Sequence, residues 1–143
     1  MKQLLSITFL ICSISISCNT EPFRKETNEF KKFLNDNFKV SLKERAVYLI
    51  IPSCQCKNCI HLNGDELLSP KKQDNFVLIT SLDTTNFKNF RNTLFDEENK
   101  TMKLSFLHYA NQLVYVEDNK IVNIQKVTNF NHEIDSAQKN YLK

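Results

Sequence analysis

Apolar residues in this chain follow two spacings, one recurring every three or four positions and one continuous, and their alternation lays out the elements. Phe30, Phe33, Leu34 and Phe38 recur at helical spacing with Lys and Asn between them, so an amphipathic helix is expected from Lys25. Ala46 to Ile51 is an unbroken apolar run, the pattern of a strand buried on both faces of a sheet, and Pro52-Ser53 stops it. A second helix is expected over residues 56–68, with Ile60, Leu67 and Leu68 inward. Asn63 and Gly64 weaken its middle by up to about 1 kcal/mol, and Ser69-Pro70 closes it. Phe76 to Thr80 reads as another buried strand. Asp83, Thr84 or Thr85 can then cap a helix in which Phe87, Phe90, Leu94 and Phe95 form one stripe. Asp96 to Lys100 reads as a solvated polar turn. Leu113–Val116 and Ile121–Ile124 are short β-branched runs joined by Glu117-Asp118-Asn119-Lys120, which predicts an antiparallel hairpin. The last helix, residues 131–142, carries Ile134, Ala137 and Tyr141 on its inner stripe.

The implied class is α/β. The expected core is a central mixed four-stranded sheet in the order β-α-β-α-β-β-α, preceded by an extra N-terminal helix. Right-handed parallel crossovers belong to the first half, the hairpin adds antiparallel pairing, and helices cover both faces.

Composition narrows the picture. The chain has 143 residues, enough for one core, with 41% apolar and 24% charged residues. It has eleven Phe, no Trp and a single Gly, Gly64, so its turns rely on Asn, Asp and Lys. A net charge of +3, with basic and acidic residues interspersed, gives no nucleic-acid footprint, and Lys31-Lys32 and Lys71-Lys72 read as solvated surface. Asp96-Glu97-Glu98 resembles a carboxylate cluster but reads as a solvated loop. No nucleophile elbow and no phosphate loop is present.

The first residues carry a different signal. Lys2 precedes an apolar stretch from Leu4 to Ile16, and Ser15 and Ser17 flank Ile16 just before Cys18. This resembles the lipobox of bacterial lipoproteins, although Ser15 stands where a large apolar residue is usual. The resemblance implies a signal peptide over residues 1–17, a diacylglycerol and palmitate on Cys18, a spacer over 18–24 and a folded domain over 25–143. The alternative is cleavage by the ordinary signal peptidase, with Cys18 left as a free thiol. Either route exports the domain. Asn19 after the cysteine, rather than Asp, favours the outer membrane over the inner one, so a lipid-anchored monomer of the cell envelope is expected.

Loss of Cys12 with the leader leaves Cys54, Cys56 and Cys59 beside Cys18. Three clustered thiols in an oxidising compartment cannot all pair with one another, so one stays free, binds metal or exchanges with a partner. Cys56-Lys57-Asn58-Cys59 follows the first buried strand and opens the expected helix. This position and the order of elements resemble the thioredoxin fold, in particular the extracytoplasmic thiol-disulfide oxidoreductases of bacteria. The resemblance covers the chain from residue 40 onward and implies exchange with exported protein thiols or disulfides. At a helix N-terminus the free N–H groups and the macrodipole stabilise a thiolate, and Lys57 adds positive charge, so Cys56 is the expected nucleophile. Cys59, one turn later, is the expected resolving thiol.

The sequence departs from the family at three places. Gln55 replaces the aromatic residue before the first cysteine, Lys57-Asn58 replaces the frequent Gly-Pro, and residues 106–113 lack the proline that the family places before the hairpin. Tyr109 to Asn111 stand nearest that position. Two alternatives stay open. Cys54, Cys56, Cys59 and His61 form a compact Cys-x-Cys-x-x-Cys-x-His set suited to zinc or copper, with His108 as a further ligand. The domain can also be a thioredoxin-like binding module without catalysis. His61, His108 and His132 all sit in polar contexts that read equally as surface.

Overall fold

The continuous run Ala46–Ile51 forms β1, and every one of its residues is buried. The structure is a computed structural model that describes residues 21–53, 74–82, 90–108 and 110–142. The other elements are α1 (Arg24–Phe38), β2 (Phe76–Thr80), β3 (Thr93–Phe95), a short 3-10 helix (Lys100–Lys103), β4 (Gln112–Glu117), β5 (Lys120–Lys126) and α2 (Phe130–Asn140). Together they make an α/β fold around one mixed sheet in the order β3-β2-β1-β4-β5. β1 pairs parallel with β2, and β2 parallel with β3. β4 pairs antiparallel with β1 and β5 antiparallel with β4.

β1 lacks alternation because both of its faces are covered. Ala46, Tyr48 and Ile50 pack with Phe30, Phe33 and Leu34 of α1, together with Val77, Ile79, Val114 and Val116. Val47, Leu49 and Ile51 pack on the other face with Ile134 and Ala137 of α2, together with Phe76, Leu78, Leu113 and Tyr115. Phe30 sits edge-on to Tyr48 with ring centroids 5.1 Å apart, an arrangement that suits the quadrupoles of the two rings. The helical stripe at residues 30, 33 and 34 is therefore core, and Phe38 is half-buried against Phe33.

Both helix boundaries have local causes. α1 ends where Lys39 turns left-handed (φ 56°), its N–H donating to the Asn35 carbonyl. α2 starts at Asn129, whose side chain accepts from the His132 N–H, while Glu133 accepts from the N–H groups of Thr128 and Asn129. Burial raises the Glu133 carboxyl, but those backbone donors outweigh it and hold the group below its ordinary value. The hairpin turn is built from Asp118 (φ 52°) and Asn119 (φ 59°), consecutive left-handed residues of the kind a type I′ turn needs. A chain nearly devoid of Gly uses the two other residue types that tolerate this conformation.

Two expectations about the middle of the chain are corrected. Leu94 and Phe95 do not continue a helical stripe with Phe90: residues 93–95 form β3, a fifth strand on the edge of the sheet. Without it, β2 would leave its outer N–H and C=O groups unpaired, and the Leu78 N–H instead donates to the Asn92 carbonyl at 2.8 Å. Phe90 packs against Phe76 on the α2 face, Leu94 lies on the α1 face, and Phe95 is 48% exposed rather than core. Three- and four-residue spacing over so short a window fits a loop followed by a strand equally well. The other is Asp96, which is buried rather than solvated. Phe87 and the candidate caps Asp83, Thr84 and Thr85 lie outside the described residues. Among the described residues, no helix is long and apolar enough to cross a membrane.

Candidate functional site

The three parallel strands end at one edge, with Ile51 opposite Thr80 and Thr80 opposite Phe95. In open α/β sheets this carboxyl edge is where ligands bind, because loops diverge there and leave a crevice. β1 lies in the middle of the sheet, so the chain leaving it after Pro52 and Ser53 emerges at the centre of that edge.

Its exit is fixed by a polar cluster. The Ser53 N–H donates to the Ser81 hydroxyl at 2.7 Å and to Asn99 Oδ1 at 3.3 Å. Asn99 Nδ2 donates back to the Ser53 carbonyl at 3.2 Å, and the Ser81 hydroxyl donates to Asn99 Oδ1 at 3.0 Å. Three segments that follow β1, β2 and β3 are thereby stitched together by one amide and one hydroxyl. Asn99 adopts a left-handed conformation (φ 51°), which Asn accepts more readily than most residues, and its N–H donates to the Asp96 carbonyl.

Asp96 is not the solvated carboxylate that the run Asp96-Glu97-Glu98 suggests. It is 3% exposed. One oxygen accepts from the Lys100 N–H at 2.8 Å, and the other accepts from the N–H and the hydroxyl of Thr101 at 2.7 and 2.8 Å. The start of the 3-10 helix leaves backbone donors without internal partners, and a carboxylate is the strongest acceptor for them. Glu97 and Glu98 are exposed, as a solvated turn requires. Antiparallel β4 enters at the same edge with buried Gln112, opposite Ile50, whose Nε2 donates to the Phe106 carbonyl at 3.1 Å.

Cys54, Cys56, Cys59 and His61 lie outside the described residues, as do the expected helix over 56–68 and Cys18. His108 is exposed on the loop before β4 and His132 is exposed in the first turn of α2. Among the described residues, no group of three or more His, Cys, Asp or Glu side chains could hold a metal ion.

Ser53, Ser81, Asn99 and Asp96 are the site residues that pattern reading missed. The available signal was local. Asp and Asn side chains readily bond nearby backbone, and an Asp followed by Asn, Lys and Thr at the next three to five positions can cap a turn of its own.

The opposite edge has a different character. Lys43, Glu44, Arg45, Asp74, Glu117 and Asp118 line an open groove of about 660 Å³ with both charge signs represented. Nearby, Arg45 lies over the Tyr141 ring at 5.5 Å and donates to the Tyr141 carbonyl at 2.8 Å. Burial pushes the Tyr141 phenol up to about 12, with the carboxylates of Glu117 and Asp118 adding to the rise and Arg45 opposing it.

No family model matches the chain, and comparison with curated proteins and with solved structures likewise finds no match.

Proposed function

We propose that this chain is an envelope thiol-disulfide exchange protein with a thioredoxin-like fold, held by a lipid on Cys18, in which Cys56 is the nucleophile and Cys59 the resolving thiol. In this reading β1, β2, β4 and β5, whose order β2-β1-β4-β5 is parallel on one side of β1 and antiparallel on the other, are taken as the four strands of that fold, with β3 as an added edge. The observation that carries the reading is the pinned exit of the central strand: Ser53, held at both its N–H and its carbonyl, is followed directly by the cysteine segment. Reacting groups mounted on a rigid element lose less entropy on reaching the transition state than groups on a free loop.

The chemistry balances within the pair. The Cys56 thiolate attacks a partner disulfide, a Cys56–partner bond forms, and the released partner sulfur takes a proton. Cys59 then attacks the Cys56 sulfur, forming the Cys56–Cys59 disulfide and freeing the second partner thiol. Two electrons pass from the pair to the partner, and the reverse sequence oxidises a dithiol.

Replacing the resolving thiol, Cys59→Ser, is expected to accumulate mixed disulfides between Cys56 and exported proteins, visible as dithiothreitol-sensitive adducts on nonreducing gels. The adducts should vanish when Cys56→Ser is added. A Cys59→Ser variant that traps nothing, in a chain shown to be exported and folded, overturns the exchange reading.

A further inference from the structure

The described part of the chain begins at a firmly held point. The Glu21 carbonyl accepts from the Arg24 N–H, and its carboxylate pairs with Lys120 Nζ at 2.5 Å. Thr27, one turn into α1, accepts from the Ile121 N–H at 3.0 Å. Both contacts lie at the start of β5, just past the Asp118-Asn119 turn, and the Asn119 N–H in turn donates to the Glu44 carbonyl. Ala46 at the start of β1 pairs with Val116 at the end of β4, so this turn sits at the amino end of β1. Ser53 and Asn99 lie at the other end. At about 3.3 Å per residue, β1 alone separates the two edges by about 17 Å.

Only Asn19 and Thr20 stand between Cys18 and Glu21, so Cys18 is held within about 11 Å of Glu21. A folded domain of this length has a radius of gyration of about 14 Å. The link is shorter than the body is wide, so a body on it cannot invert to put its far edge nearest the attachment plane while Glu21 stays within reach of Cys18.

We infer that the β4–β5 turn end of the sheet, marked by Glu21, Glu44, Asn119 and Lys120, faces the lipid surface that holds Cys18, and that the carboxyl edge with Ser53 and Asn99 points away from it. The partners of the cysteines are then thiols or disulfides of exported, water-borne proteins and not a carrier within the bilayer. This rests on the lipid-anchor reading of Cys18. The groove at the turn end is lined by two cations, Lys43 and Arg45, and four carboxylates, Glu44, Asp74, Glu117 and Asp118, so no basic excess draws it to anionic headgroups and attachment rests on the acyl chains.

The test uses the full lipid-modified chain in phosphatidylethanolamine–phosphatidylglycerol vesicles containing a nitroxide on the lipid headgroup. A fluorophore is attached through an azido side chain at Glu117 or at Glu98, both exposed and at opposite edges, leaving every cysteine untouched. Fluorescence at position 117 is expected to be quenched several-fold more than at position 98. Inserting ten Gly/Ser residues between Thr20 and Glu21 should shrink that difference. Equal or reversed quenching on a chain that floats with the vesicles overturns the orientation and leaves the anchor standing. A chain that fails to float, or a Cys18→Ala variant that floats as well as the parent, overturns the anchor and the orientation with it. Circular dichroism of each labelled chain confirms that the fold is kept.

Discussion

Asn99 grips the backbone of Ser53 from both sides: its Nδ2 donates to the Ser53 carbonyl at 3.2 Å, and its Oδ1 accepts the Ser53 N–H at 3.3 Å. One side chain thus ties the end of the central strand to a turn 46 positions later. Two substitutions separate its roles. Asn99→Gly keeps the left-handed backbone and removes the grip, which is expected to cost about 1 kcal/mol. Asn99→Ala also places a Cβ in the left-handed region, adding about 1 kcal/mol more. Urea unfolding of the two variants checks the order, and an Ala variant as stable as the Gly variant contradicts it.

Asp96 supports that turn from beneath. Asp96→Ala leaves two backbone N–H groups and the Thr101 hydroxyl without their acceptor in a buried site. The expected loss is about 3 kcal/mol by denaturant unfolding. Asp96→Asn, which keeps one carbonyl acceptor, is expected to lose less. Glu97→Ala and Glu98→Ala, on exposed neighbours, should change stability by no more than about 0.5 kcal/mol.

Tyr141 gives a test on the alkaline side. Its phenol ionises near 12 in the fold, against an ordinary value near 10 in the unfolded chain. Between those values the folded state holds the extra proton, so this contribution to stability is complete below pH 10 and fades as the pH climbs toward 12. Ultraviolet titration should show a tyrosine ionising about two pH units late. Glu117→Gln, which removes a carboxylate that raises the group, should bring that step to lower pH.

The metal alternative has its own check. Native mass spectrometry of the reduced full chain, prepared with zinc or copper(I) present and then desalted, is expected to show no stoichiometric metal. Retention of one ion that is lost on Cys54→Ser or His61→Ala would favour ligation by residues 54–61 over exchange.

The fold was legible where burial leaves a periodic mark. The unbroken run Ala46–Ile51 announces a strand covered on both faces, and the stripe Phe30-Phe33-Leu34 announces a one-sided helix; both take those forms. The segment Glu117–Lys120 signals a turn because Asp and Asn tolerate the left-handed pair it uses. β3 was not legible. It spans three residues, half-buried or exposed, and it exists because β2 needs a partner, a tertiary demand that leaves no period in the sequence. Asp96 was misread for a related reason. A carboxylate between Phe95 and Glu97 reads as solvated until the N–H groups of residues 100 and 101 are seen to converge on it. The cysteines were visible as a motif, whereas the Ser53–Ser81–Asn99 cluster that anchors their segment joins three loops distant in sequence.

A titration of the Cys56–Cys59 pair in glutathione redox buffers at pH 7, read by alkylation and mass spectrometry, bears most directly on the proposed chemistry. One reversible two-electron couple confined to Cys56 and Cys59 is expected, with Cys56 in the reduced protein alkylated much faster than a thiol in the unfolded chain. Reactivity at Cys56 no greater than in the unfolded chain, together with no reversible couple, would contradict it.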